Sequence, residues 1–418
     1  MPRLGSLKGL ALAVVAGVVM CGSWSARAAD LGGNCCADLE ERIAELEATT
    51  ARKGNRKVSL TISGWVNEAV FAWDDGVEDN VYVGTNALEQ TRVRMLGEAK
   101  ISPDWSAGYI IELGIFGADS KSFSQDNPAG KNSLSTRKAS WFIKSKDLGK
   151  MTVGQDGTAT YHLLDDADAT NTRNYSDAEA APVALGAFKT RVGGVLGDKW
   201  TDLMGGFNNY TPGQSGRRNV VRYDSPTFAG FTYTAAWGED DMWDTALTYK
   251  GERGDFILVG KVGYGESADP TINKGGCAAG IGTGDCQWWG AAGTVMHTPT
   301  GLYVYGGYGA TQIDLAPGDA REDETTMWFV QAGIEKKFIP LGKTTVFGEY
   351  REDDVGLSKA ADASQLEFWA AGVVQNIESA AMDLYVIYRN ASGDFTEAGL
   401  KSKLDDFDMV MTGARIQF

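Results

Sequence analysis

The sequence predicts an all-β fold, a 16-stranded antiparallel transmembrane β-barrel preceded by a short N-terminal helical segment. Three observations carry this reading. Apolar residues recur at every second position in stretches of about 8 to 16 residues. The connections between those stretches alternate between tight turns and long loops. Glycine and aromatic residues are abundant, 53 Gly with 12 Trp, 15 Tyr and 16 Phe against only 10 Pro, a combination that points to β-structure.

Residues 1–28 have the layout of a secretory signal: Arg3 and Lys8, an apolar run from Leu10 to Met20, then Ala26-Arg27-Ala28 before Ala29. That run is too short to cross a bilayer as a helix, which takes roughly 20 residues, and no later stretch approaches that length. Membrane integration therefore falls to strands. Cys21 follows Met20, and so bulky a residue at that point argues against lipidation of the cysteine. Residues 29–56 read as a periplasmic segment. Within it Leu39, Ile43, Leu46 and Thr50 recur at alternating spacings of four and three, the seam of a short coiled coil or the apolar face of a surface helix. Cys35 and Cys36 are adjacent and cannot easily bond to each other, which leaves cross-chain bridges open.

From residue 57 to 418 the chain reads as the barrel, with strands near 58–73, 90–101, 105–116, 138–145, 149–156, 218–225, 228–238, 242–250, 254–264, 286–297, 300–311, 325–338, 343–351, 364–375, 380–391 and 406–418. Val93, Met95, Gly97 and Ala99 share one face of the second strand, and Arg92, Arg94, Glu98 and Lys100 the other. The split recurs in Trp243, Thr245, Leu247 and Tyr249 against Asp244, Ala246, Thr248 and Lys250, and in Met382, Leu384, Val386 and Tyr388 against Asp383, Tyr385, Ile387 and Arg389. One face suits lipid and the other water.

A soluble sandwich would also alternate, so the connections decide. Ser102-Pro103-Asp104, Lys146-Asp147-Leu148, Gly251-Glu252-Arg253, Thr298-Pro299, Ile339-Pro340-Leu341-Gly342 and Asn376 to Ser379 read as tight turns at one rim, and nearly all loops at the other rim are longer. An open sheet edge in lipid would leave backbone groups unpaired, so the sheet closes. About 16 strands leave an aqueous lumen.

The formal charge is −16, and loss of the signal, with three basic and no acidic residues, leaves −19; this argues against nucleic acid as a partner. Cys277 and Cys286 lie in a Gly-rich segment and, in an exported chain, read as a loop disulfide. His162 and His297 are the only histidines and stand at no ligand spacing, so neither metal nor cofactor is expected. No nucleophile motif, phosphate cradle or acid–base pair is evident, so the chain reads as no enzyme.

Three pieces of the sequence resemble the trimeric general porins of Gram-negative bacteria, in particular those of α-proteobacteria. Val220-Val221-Arg222-Tyr223-Asp224-Ser225-Pro226-Thr227-Phe228-Ala229-Gly230-Phe231 is similar to the porin strand–turn–strand signature. Leu148-Gly149-Lys150-Met151-Thr152-Val153-Gly154-Gln155 resembles the strand that enters the constriction loop. Thr412-Gly413-Ala414-Arg415-Ile416-Gln417-Phe418 resembles the C-terminal strand read by the barrel-assembly machinery. Two features depart from the pattern: Met411 stands where a polar residue is common, and the stretch from Gly157 to Gly216 is much longer than a typical constriction loop.

The resemblance implies an outer-membrane channel for passive diffusion of small hydrophilic solutes and ions, a homotrimer, and lipid and lipopolysaccharide around it. It also implies that the third loop, about 157–217, folds inward. Its carboxylates Asp165, Asp166, Asp168, Asp177 and Glu179 would then face the lumen, opposed by the basic wall residues Arg92, Arg94 and Arg222. Such opposed charges set a transverse field. Five carboxylates favour a weak cation preference, although Arg173, Lys189, Arg191, Arg217 and Arg218 in the same stretch oppose it. The alternatives are a substrate-specific channel with a saturable site and a secreted all-β adhesin or structural protein. Trp105, Trp237, Trp243, Trp288, Trp289, Tyr303, Tyr305 and Trp369 are expected, as a group, to supply interfacial aromatic girdles.

Overall fold

The computed structural model describes residues 57–239, 241–268, 277, 285–319 and 321–418. The expected signal (1–28) and the 29–56 segment, with its coiled-coil seam and Cys35-Cys36, lie outside the described residues. In chain order the strands begin with β1 (Thr61–Asp74), β2 (Asp79–Thr85), β3 (Arg92–Lys100), β4 (Trp105–Phe116), β5 (Ser133–Ser145) and β6 (Gly149–Gly157). A small separate hairpin, β7 (Lys189–Val192) and β8 (Val195–Lys199), interrupts the connection to β9 (Arg217–Asp224). Then follow β10 (Phe231–Gly238), β11 (Met242–Arg253), β12 (Phe256–Ser267), β13 (Cys286–His297), β14 (Leu302–Ile313) and β15 (Glu324–Ile339). The last are β16 (Gly342–Val355), β17 (Ala363–Ile377), β18 (Met382–Glu397), β19 (Leu400–Lys403) and β20 (Phe407–Gln417).

Sequential antiparallel pairing runs through this order, and the sheet closes on itself. Trp65 to Asp74 of β1 pair with Gln417 to Asp408 of β20 on one edge. On the other edge, Thr61 to Trp65 pair with β3. Gly64 and Phe418 exchange backbone hydrogen bonds at 3.0 Å each. The closed wall has sixteen positions, β1, β3–β6, β9–β18 and β20, each of them an expected strand. The short β2 takes the upper half of β1, and β19 pairs with the far end of β18.

Four strands were not anticipated: β2, β7, β8 and β19, all short pieces inside loops. The turn expected at Gly251-Glu252-Arg253 is displaced, since Arg253 still pairs with Phe256. Gly254 takes the positive φ of 57° that the turn requires, a conformation glycine adopts without strain. On the long-loop rim, the link between Gly238 and Met242 is tight, because those two residues are themselves a register pair.

Side chains along the wall separate as the alternation predicts. Trp141, Val221, Leu247, Val262, Val304 and Trp369 are exposed. On β18, Asp383, Tyr385, Ile387 and Arg389 are buried while Met382, Leu384, Val386 and Tyr388 are only half-buried. Large apolar side chains left open in water forgo the burial that stabilises a soluble fold; a hydrocarbon surround removes that difficulty. Val262, near the middle of β12, tests the assignment. Val262→Arg should lower equilibrium unfolding stability in lipid vesicles by about 2–4 kcal/mol, and an unchanged unfolding midpoint would refute an outward, mid-membrane position for this residue.

Candidate functional site

The connection from β6 to β9, residues 158–216, is folded onto the wall, and its own apolar residues are buried there. Leu163, Leu164, Ala167, Tyr175, Val183 and Leu185 are almost inaccessible. Asp244 of β11 anchors its start, accepting from the backbone N–H groups of Ala159 (2.9 Å) and Thr160 (2.8 Å) and from Thr160 Oγ1 (2.6 Å). Trp288 Nε1 donates to the same hydroxyl at 3.0 Å. Farther along, Tyr305 donates to the Leu164 carbonyl at 2.9 Å and Thr294 to the Ala167 carbonyl at 2.6 Å. Tyr175 donates to Asp383, and Arg389 donates to the Ser176 carbonyl (2.8 Å) and to Glu349 (2.6 Å). Arg351 forks onto Asp353 at 2.6 and 2.7 Å and also reaches the Glu179 carbonyl. Every wall residue in this seam belongs to the run from β11 to β18.

Glycine makes the closest part of the seam. Gly290 and Gly309 are register partners on β13 and β14, and Pro212-Gly213 lies directly against them. A Cβ on Gly309 would stand 2.2 Å from the Pro212 carbonyl oxygen, and one on Gly213 would stand 2.5 Å from the Gly309 Cα. A wall without side chains at that spot lets the returning backbone lie flat on it.

The wall from β3 to β12, which shares β11 and β12 with the β11–β18 run, carries a second set of charged contacts. Arg92, Arg94 and Arg137 converge on Glu112 at 3.4, 2.6 and 2.8 Å; Arg92 also meets Glu89 at 3.0 Å. Arg137 and Arg217 donate to the Tyr161 hydroxyl at 3.4 and 3.3 Å. Arg222, pairing in register with Thr152, binds Asp224 at 2.7 Å and the carbonyls of Gly157 and Thr158 at 3.2 and 3.3 Å. Next to it a cavity of about 490 Å³ opens between this wall and the near edge of the loop. Lys138, Arg222, Lys250 and Lys261 line it from the wall; Tyr161, His162 and Asp166 line it from the loop. The structure thus brings Arg222 together with three lysines that sequence reading did not single out. Strand parity had already put Lys250 on the Asp244 face.

The five loop carboxylates are not a row facing open space. Asp165 is 1% exposed and is held by Arg173 Nε (2.8 Å) and His162 Nδ1 (2.5 Å). Burial pushes its carboxyl upward, but the Arg173 charge and then His162 outweigh it and hold Asp165 well below the usual carboxylate range. Asp168 turns back on its own loop, accepting from Thr170, Thr172 and the Arg173 N–H. Asp177 and Glu179 are buried as well. Burial and then Glu179 raise Asp177 well above its ordinary value; burial and then Asp165 push Glu179 up to about 8. Only Asp166 lines the cavity, 38% exposed and paired with Arg173 at 3.0 Å and Lys261 at 3.3 Å. Asp165, Asp177 and Glu179 are thus buried, whereas Asp168 is half-buried like Asp166.

Two further expectations are refined. Trp288, Tyr303 and Tyr305 leave the proposed girdle, being buried at the wall–loop seam, whereas Trp105, Trp237, Trp243, Trp289 and Trp369 are exposed. Cys277 and Cys286 stand with Cα atoms 5.9 Å apart and sulfurs at bonding distance, packed with Trp288 and Ile313.

The family model described as Gram-negative porin matches residues 10–396. The chain belongs to the Gram-negative porin family. Among solved structures this porin is similar to the anion-selective porin from Comamonas acidovorans, at 16% identity and a TM-score of 0.57 over 86% of this chain and 100% of that one. It is also similar to the outer membrane channel DcaP of Acinetobacter baumannii, at 14% identity and a TM-score of 0.54 over 88% and 100% of the two chains. OmpT of Vibrio cholerae matches at 14% identity and a TM-score of 0.52, over 88% and 99%. Likeness at these identities speaks for the fold. No curated protein matches by sequence. Family and closed barrel together make this porin an outer-membrane channel.

Filling the bare patch tests how the loop is held. Gly309→Val should displace Pro212-Gly213 and destabilise the loop's docking by about 1–3 kcal/mol. Limited proteolysis should then cut within residues 158–216 much faster than in the unaltered protein while the barrel itself stays intact; equal cleavage rates would show that the glycine contact holds nothing.

Proposed function

We propose that this porin is a water-filled channel for passive diffusion of small hydrophilic solutes and ions. In this reading the 158–216 loop folds inward as the constriction, and the open arc of the wall favours anions. The observation that carries the proposal is a concentration of cations: Lys138, Arg222, Lys250 and Lys261, from β5 and β9–β12, border one cavity of about 490 Å³, while Asp165, Asp177 and Glu179 of the loop are buried away from it. Fixed cations in a narrow, low-dielectric passage raise the local concentration of anions and repel cations. Asp156, Asp166 and Asp224, paired with Lys138, Lys261 and Arg222, temper that field and leave Lys250 as its surplus charge. The anion selectivity named for the Comamonas acidovorans relative agrees with this sign.

Assembly as a homotrimer, with lipid and lipopolysaccharide around the outer face, belongs to the same reading. In its support, apolar residues are exposed along the outside, Val81 and Val83 of β2 among them, and OmpT of Vibrio cholerae is known in a trimer form. The cavity favours a second reading, a saturable site for a small anionic solute. Flux that rises linearly with solute concentration fits simple diffusion; flux that saturates fits the site.

Single channels in a salt gradient decide the selectivity. The reversal potential should show anions more permeant than cations, and the combined change Arg222→Gln, Lys250→Gln and Lys261→Gln should bring the ratio toward or below unity. Clear cation selectivity in the unaltered channel would end the electrostatic reading.

A further inference from the structure

Away from the basic arc, three carboxylates of the loop meet in its interior. Asp165 opens the 3₁₀ turn Asp165–Ala167, and Asp177 and Glu179 stand at the start of the segment Ala178–Leu185. One carboxylate oxygen from each lies within 4.8 Å of the other two. Asp165 and Glu179 are each 1% exposed, and Asp165 Oδ1 and Glu179 Oε2 are buried without any hydrogen-bond partner. Such orphaned oxygens are costly, because a buried carboxylate that accepts nothing has lost its water without replacement.

The neighbouring donors reach only the other oxygen of each of these two carboxylates. Arg173 Nε and His162 Nδ1 both address the other oxygen of Asp165, Oδ2. Gln214 Nε2 donates to Glu179 Oε1 at 3.2 Å. Arg351 is taken by Asp353 and the Glu179 carbonyl, and Arg389 turns Nη2 to Glu349 and Ser176 while its Nε and Nη1 stay buried without a hydrogen bond. Three buried carboxyl groups thus share one directly paired cation, Arg173 on Asp165, and one oxygen from each of the three falls in a common volume.

We propose that Asp165, Asp177 and Glu179 bind a divalent cation, with Ca²⁺ the ion that fits. The donor set is hard oxygen alone, which selects Ca²⁺ or Mg²⁺ over Zn²⁺ or copper. Oxygens on one Ca²⁺ at 2.3–2.6 Å lie up to roughly 5 Å apart, which matches the cluster. Mg²⁺ fits less well, since it retains several waters in a tight octahedron and the site is enclosed. The bound ion would tie the loop's first turn to its middle segment. Through the Thr211 hydroxyl, which donates to the Glu179 carbonyl at 2.7 Å, the tie reaches the returning strand of the loop. The ion would thus be a clamp on the aperture, independent of the sign of its selectivity.

The test uses the full chain refolded in detergent, free of lipopolysaccharide and depleted of metal. Equilibrium dialysis with radioactive Ca²⁺ should find one ion per chain that the double variant Asp177→Asn, Glu179→Gln binds roughly tenfold or more weakly. Chelation should raise or destabilise single-channel conductance in the unaltered protein and leave the variant's conductance unchanged. If the double variant does not yield folded barrels, Asp177→Asn alone serves for both measurements. An unaltered protein that binds no Ca²⁺, or a folded variant that binds it equally well, overturns the proposal. Neither result touches the reversal potential, so this site and the channel reading stand or fall separately.

Discussion

Everything in this molecule depends on pairing the backbone where no water can do so. A hydrocarbon surround offers nothing to an unpaired N–H or C=O group, so the first and last strands must find each other, and the Gly64–Phe418 exchange together with the β1–β20 ladder completes the ring. Closure frees the inner face from any need to be apolar. Buried charges such as Arg351 with Asp353 and Arg389 with Glu349 are then affordable, because each finds its partner across the same face. Separating such a pair costs about 3–5 kcal/mol, which makes the seam resistant to piecemeal loosening.

The interior is organised by the loop. In a barrel of this size side chains from the wall alone do not fill the middle, and the apolar core that exists is where the loop meets β11–β18 and where Phe188 packs on Trp73 and Phe407. The ring thus has a packed arc and a wet arc. On the first, carboxylates and guanidinium groups are tied to the loop; on the second, Lys138, Arg222, Lys250 and Lys261 border a cavity, with Arg222 and Lys261 also reaching the loop's first residues. Hydrogen bonds accepted by Asp244 and donated by Tyr305 set where the loop begins and how deep it sits.

All sixteen wall strands were legible in the sequence, because a period of two is strong wherever one face meets lipid and the other water. Their ends were less so. The strand expected at 343–351 continues to Val355 through Glu352, Asp353 and Asp354, and the one expected at 380–391 continues to Glu397, since pairing persists above the lipid after apolar alternation has ceased. Parity also put Arg92 and Arg94 on one face of their strand, where both reach Glu112. It would have separated Trp288 from Trp289 too, as adjacent residues of one strand must face opposite ways. Parity has no force in a loop. Whether Asp165 or Asp166 faces water is decided by Arg173, His162 and Lys261, partners distributed over nearly a hundred residues, and no local pattern announces them.

The basic border of the cavity has a consequence for which of its charges can be exchanged. Lys261 donates to the His162 carbonyl at 2.7 Å and pairs with Asp166, so its replacement unseats the start of the loop as well as removing a charge. Lys138 is tied to Asp156 at 2.7 Å, and its loss leaves a buried carboxylate without its cation. Lys250 borders the same space with no ion pair among the described residues, which makes it the position where electrostatics can be retuned with the least mechanical disturbance.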